Sequence, residues 1–403
     1  MSGRTVSVKN AAELTRAIRT AKSDDTILLA PGNYGSVLVN NINPGSLVTI
    51  RSANPNAEAV FDGLVVSRSS NFSFQDIEVA HYLQAGERDF VQAVRVQTSR
   101  DISFVGMDVH GTLNNNPNDD GNGLWVMSSS RIAVLDSSFH DLNNAVVFGT
   151  GSDIVFAGNR ISMAREGMNL SQIDGALVER NYISDIFPNT ARGDHGDAIQ
   201  VHAGGAARSS NDLTIRHNVI KTGTTGTHGI YVNNEKGALG LTHSDVVIDS
   251  NYYEGNARHG ITVNFGDGVT VTNNTVRDIG SGGLVPAITV TNSRNAMIDD
   301  NIAPLLLGTT DRKNSNVTWG DNIDVWDRLR GTGIDESSLF ESPVGSNDLD
   351  FAALNVRGGS AAAAQGIGFA AINGIGDINA SSGAMLAAYV PQFDAHSAHI
   401  VMV

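Results

Sequence analysis

The chain has 403 residues, 41% of them hydrophobic and 17% charged, which is enough to bury a sizeable core. With no Cys, disulfides, thiolate metal sites and a cysteine nucleophile are excluded. The formal net charge of -15 argues against a general nucleic-acid binder, because neutralising phosphates needs clustered Lys and Arg. No run approaches the ~18 apolar residues of a transmembrane helix, and the first residues show no apolar signal-peptide core.

In chain order, residues 11–22 read as an amphipathic helix, and residues 24–34 as a turn and a first strand. From about residue 100 to 303 a short alternating segment keeps returning. Its copies start at Ile132, Ile154, Ala176, Leu213, Val246, Val269 and Ala296. From the second copy on, an Asn follows five residues later: Asn159, Asn181, Asn218, Asn251, Asn274 and Asn301. Two residues further on stands an apolar side chain, as at Ile161, Ile183, Ile220, Tyr253, Val276 and Ala303. Period-2, β-branched segments broken by Gly, Asn and Asp predict short strands. Repeats too small to bury their own apolar face must stack on their neighbours, which places similar strands in parallel about 4.8 Å apart. The expected architecture is all-β: a parallel solenoid of about ten coils, with the Asn column hydrogen-bonding from coil to coil at a tight turn.

A second register runs through the first strand of each repeat. Its cores begin at Asn122, Asn144, Glu166, Asp197, His228, His259 and Pro286. The third and fifth positions are apolar throughout and are expected to face the core. The fourth position carries Trp125, Val147, Asn169, Gln200, Tyr231, Thr262 and Thr289, and the sixth carries His202, Asn233 and Asn264. Glu166, Asp197, His228 and His259 follow one another in steps of 31 residues, so in-register stacking makes them one line. Strict alternation would turn this first position inward, whereas the Gly or Ala after it suggests a bend that frees it; the sequence leaves the direction open. Polar residues at such turns are often merely solvated, and only their clustering in consecutive coils singles these out. Long loops at residues 111–120, 185–195 and 221–227 precede the same strand face and would wall a groove suited to a polymer.

These features resemble the right-handed parallel β-helix of the pectin-lyase-like superfamily, in which a helix like that at 11–22 caps the open end. The resemblance covers residues 6–303. It implies an N-terminal cap and first strand over 1–35 and the β-helix proper over 36–303. Residues 304–403, where Trp319, Trp326 and Phe340 precede a Gly/Ala-rich stretch, are expected to form irregular last coils and a C-terminal cap. The superfamily hosts many activities, so the site must argue for itself. The string Ala257-Arg258-His259-Gly260 is similar to a motif of secreted alginate C5-epimerases. Asp194-His195-Gly196-Asp197 is similar to their Asp-Pro-His-acid motif, without the Pro and with the acid shifted.

The leading expectation is a polysaccharide lyase that cleaves an acidic, uronate-containing polymer by β-elimination, secreted or extracellular. The alternatives are a mannuronan C5-epimerase-like enzyme, a glycoside hydrolase using Glu166 and Asp197, and a non-catalytic tailspike or adhesin, which would be a trimer. The candidate catalytic set is Asp197, His228, His259, Tyr231 and Arg258. His228 or His259 is the base, Tyr231 the acid, and Arg165, Arg258 or a bound Ca²⁺ neutralises the substrate carboxylate. Glu166, Asp194 and Asp197 are the candidate calcium ligands. Glu166, Arg165, His195, Gln200, His202, Lys221 and Trp125 are candidate substrate contacts.

Overall fold

The computed structural model describes residues 3–204, 208–280, 284–327, 329–345, 351–373, 375–376 and 389. It divides into two compact units, residues 1–163 with 376–403, and residues 164–375. Each unit is built from the same device, three parallel sheets to which every turn of the chain contributes one strand. In the first unit, Ser36–Asn40, Gly63–Ser67, Gln92–Gln97 and the start of Asn122–Leu135 pair in order. In the second, Asp197–His202, His228–Asn233, His259–Asn264 and Ala287–Thr291 do the same. The two further sheets of the second unit include Asn211–Arg216 paired with His243–Asp249, and Val219–Gly223 paired with Tyr252–Gly255.

Alternation sorts the side chains as the sequence predicts. Ile199, Val201, Ile230, Val232, Ile261, Val263, Ile288 and Val290 are wholly buried, and so are Ile183, Ile220 and Val276 in the register after the Asn column. Each buried Ile or Val removes a side chain worth roughly 1.5–3 kcal/mol from water. That gain exists only when the next coil covers it.

The Asn column is a continuous amide ladder. Asn218 donates to Asn251 Oδ1 (2.9 Å), Asn251 to Asn274 Oδ1 (3.0 Å), Asn274 to Asn301 Oδ1 (2.9 Å) and Asn301 to Asn322 Oδ1 (2.9 Å). The residue before each of the first four ladder positions is left-handed, as at His217, Ser250 and Asn273, so the side chain that follows the corner satisfies the turn. A second ladder escapes the sequence reading. In the first unit Ser69 N–H donates to Ser99 Oγ and Ser99 N–H to Ser129 Oγ. In the second, Ser210 N–H donates to the buried His243 Nδ1.

Two boundaries differ from expectation. The helix is Ala11–Arg19, shorter than predicted, capped by Asn10, whose side chain accepts from Glu13 N–H. The first rung precedes it, because Thr5–Val8 already pairs with Thr26–Leu29. At the other end coiling continues past residue 303. Ser315–Trp319 pairs with Arg294–Asp299 and Ile323–Asp324 with Ile302–Ala303, while Asn322 prolongs the ladder. Beyond it the chain folds back along the third sheet. Arg277 binds Glu336 (2.8 Å) beneath the Phe340 ring, and Gly345 N–H donates to Glu254. Leu354 and Phe369 pack on Val219 and Tyr252.

Asn251→Ala strands the buried Asn218 N–H and Ile215 carbonyl that its side chain now serves. At 1–3 kcal/mol for each unsatisfied group, the expected loss is about 3 kcal/mol, read as a lower urea midpoint. Asn251→Ser should lose less, since Ser137 fills the corresponding corner by accepting from Met107 N–H.

Candidate active site

In the second unit the line drawn from the 31-residue spacing exists. Asp197 pairs directly with His228, and the register of Met168 with Ile199 and of Ile230 with Ile261 sets Glu166 and His259 in the adjoining coils. The open question of direction resolves at the residue that follows. A Cβ on Gly229 would lie 2.2 Å from the Gly260 carbonyl oxygen and 2.5 Å from the Tyr253 ring, so that position turns inward at a corner where no side chain fits. The corner turns the first and fourth residues of each strand to the same side, and they touch. Gln200 Nε2 donates to Asp197 Oδ2 (2.9 Å), the rings of His228 and Tyr231 are 5.5 Å apart, and His259 Nδ1 meets Thr262 Oγ1 at 2.9 Å. Thr262, buried beside His259, is a candidate site residue that sequence reasoning did not single out. Its signal is this three-residue spacing.

Asp197 is the centre of the arrangement. Only 1% exposed, it is faced by His228 Nδ1 at 2.9 Å on Oδ1 and by Gln200 and His195 (3.5 Å) on Oδ2. A carboxylate only accepts, so His228 carries its proton on Nδ1 and presents the Nε2 lone pair outward. His228 Nε2 and the Tyr231 hydroxyl have no hydrogen-bond partner among the described residues. Burial, with the charges of Asp197 and Glu235, pushes the Tyr231 phenol up, which keeps it a proton donor. The His259 ring stands edge-on to His228 at 4.7 Å and lies 5.0 Å from Tyr231. Burial first, then His228 and Arg258, holds it down at about 4, so it is neutral at neutral pH. Arg258, partly buried, makes no ion pair among the described residues.

Several sequence assignments change. Arg165 is not a free neutraliser, because its Nε and Nη2 clasp Asp194 at 2.8 and 2.9 Å and thereby pin the 185–195 loop. Gln200 holds Asp197 rather than reaching outward for substrate. Lys221 belongs to the third sheet, in register between Ser184 and Glu254, and not to the Asp197–His228 ladder. His202 does face outward beside Asn233, with its pKa lowered by burial, and His195 is largely exposed. Trp125 lies in the first unit, in register between Arg95 and Val147. The pairing of His259 is with Ala287 rather than Pro286, through a register shift.

Residues 62–232 match the family model described as right handed beta helix region. The chain is similar to the A-module of a mannuronan C-5 epimerase from Azotobacter vinelandii at 14% identity, over 78% of this chain and 94% of that one, with a TM-score of 0.54. It is also similar to a family 28 exopolygalacturonase from Yersinia enterocolitica at 10% identity, over 80% of this chain and 79% of that one, with a TM-score of 0.50. The fold of this chain is a right-handed parallel β-helix. No curated protein matches the sequence. At these identities the likeness carries the fold and leaves the chemistry of this β-helix to its own side chains.

The calcium set expected from sequence is not assembled in this β-helix. Among the described residues no three His, Cys, Asp or Glu side chains form a metal-binding group. Asp194 is clasped by Arg165, and both Asp197 oxygens face N–H donors. NMR titration of the imidazole C–H signals should find His259 changing near pH 4, and His228→Ala should move that midpoint upward.

Proposed function

We propose that this β-helix is a polysaccharide lyase that cleaves a uronate-containing chain by β-elimination. The reading is carried by one observation, a buried Asp197 paired with His228, whose ring lies 5.5 Å from the Tyr231 ring, with Nε2 and the phenol hydroxyl both without hydrogen-bond partners among the described residues. A base and a proton donor side by side are what elimination from a uronate requires. His228 Nε2 takes the C5 proton, the electron pair forms the C4–C5 double bond, and the C4–O4 bond breaks. The phenol then delivers its proton to the departing O4. Asp197 stabilises the imidazolium as it forms, a preorganised charge that needs no rearrangement. The guanidinium of Arg258, which makes no ion pair among the described residues, neutralises the substrate carboxylate and makes C5–H acidic enough to lose. A polymer of this kind is met outside the cell, which fits a secreted protein.

Epimerisation at C5 is the second reading. It is favoured by the neutral His259 ring, edge-on to His228, as a second proton carrier. The two readings part after the abstraction, since an epimerase returns the proton and leaves the chain intact.

Mixing the protein with polymannuronate, polyguluronate and polygalacturonate and following ultraviolet absorbance tests the assignment. Unsaturated chain ends are expected from at least one polymer. His228→Ala and Tyr231→Phe should each lower kcat by about 10²–10⁴-fold, with melting temperatures near that of the parent. Arg258→Ala should lower kcat/KM. New reducing ends without absorbance would contradict elimination, and an inverted C5 without cleavage would select the second reading. Binding with no product would make the β-helix an adhesin.

A further inference from the structure

After Ala287–Thr291 the corner is closed by Ser293, which accepts the Gly266 N–H of the coil before (3.0 Å) and donates to the Thr291 carbonyl (2.8 Å). Thr291 ends its strand in register with Asn264, and Asn264 with Asn233 one coil earlier. After His228–Asn233 the chain makes a longer loop, residues 234–242, and the corner residue is His243. Its ring is wholly buried, with Nδ1 facing the Ser210 N–H and Nε2 facing the Asn233 carbonyl, each at 3.1 Å. A backbone N–H only donates and a carbonyl only accepts, so the ring is neutral with its proton on Nε2. Burial lowers its pKa and favours the same neutral form. His243 therefore makes both bonds of Ser293, but from two ring nitrogens instead of one oxygen.

The carbonyl it holds belongs to a residue beside the candidate site. Asn233 follows Tyr231 by two residues, about 7 Å along the strand and on the same side, in register with His202 and Asn264. Its Oδ1 accepts from Asn264 Nδ2 (2.7 Å), and its Nδ2 lies 3.5 Å from Glu235 Oε1, the limit of a hydrogen bond. A sugar hydroxyl can accept from that amide and donate to that carboxylate at once. Glu235 is held in place because its Oε2 accepts the N–H of both Ala203 and Gly204 (2.8 Å each). The strand ladder slackens at this end, where Asn234 N–H is 3.4 Å from the Asn264 carbonyl. The bond from His243 is what fixes Asn233.

We propose that His243 is a positioning residue: by holding the Asn233 carbonyl it sets the Asn233 amide against Glu235 as a pair that binds a hydroxyl of the sugar beside the scissile bond. This rests on the lyase reading for its substrate class, while the hold on Asn233 is testable without substrate.

His243→Ser keeps an acceptor for the Ser210 N–H, as Ser210 does for Ile173 and Ser293 for Gly266, but loses the bond to Asn233. In NMR without substrate, the Asn233 side-chain amide signals should shift in this variant. Unchanged signals would overturn the proposal, whatever the protein cleaves. In steady-state cleavage of uronate oligosaccharides, His243→Ser should raise KM about fivefold, the size of one net hydrogen bond, with little change in kcat. His243→Gln, which carries both an acceptor and a donor, should recover most of that loss. In an Asn233→Ala background, His243→Ser should add no further rise. An unchanged KM, or the same rise with and without Asn233, would contradict the assignment. A rise that comes with a lower melting temperature and that His243→Gln does not rescue would make the residue merely structural and end the proposal. If wild type cleaves no uronate polymer, the lyase reading fails, and dissociation constants of the same oligosaccharides by calorimetry replace KM with the same deciding outcomes. No binding at all would overturn the hydroxyl site.

Discussion

Parallel stacking of one coil directly on the next is the constraint from which everything else in the second unit follows. A β-strand neighbour lies about 4.8 Å away, so residues 31 positions apart in sequence become side-chain neighbours without any special contact to join them. The stacking is held by two kinds of interaction. Apolar side chains such as Ile199, Ile230, Ile261 and Ile288 gain from burial only when covered by the next coil. The buried amides from Asn181 to Asn301, continued by the half-buried Asn322, fix the vertical register, because they hydrogen-bond from one coil to the next. An amide ladder tolerates no slip, since a displaced coil would leave buried N–H and C=O groups without partners.

On that scaffold the proposed catalytic geometry needs little further design. The close approach of Gly229 to the Gly260 carbonyl forces a corner with no room for a side chain, and the corner turns the residues on either side of it outward together. His228 and Tyr231 are therefore neighbours by backbone geometry, and Asp197 beneath His228 by stacking. Burial then sorts the protons. The phenol of Tyr231 stays protonated, while His259 stays neutral. The lone pair on His228 is left as the natural place for a proton to go.

Much of this was legible because its signals are local and repeated. Alternation at Ile230 and Val232 or Ile261 and Val263 names the core, and the recurring Asn names the turn. The direction of the first position was not legible, since it depends on how close the next coil comes to Gly229. Nor was the capture of Arg165 by Asp194, which a loop brings from 29 residues away. Lys221 was misassigned because a basic residue just before a loop gives no sign of which sheet its strand joins. The segment after Asp324 was only partly readable. It has no period, and its attachment through Glu336, Phe340 and Phe369 to Arg277 and Tyr252 is a matter of tertiary packing.

The claim that stacking sets the chemistry is tested most directly at one ring. Nitrogen NMR of the His228 imidazole at neutral pH should find Nδ1 protonated and Nε2 bare, and Asp197→Ala should abolish that preference. A ring protonated on Nε2, or one whose tautomer ignores the loss of Asp197, would contradict the account.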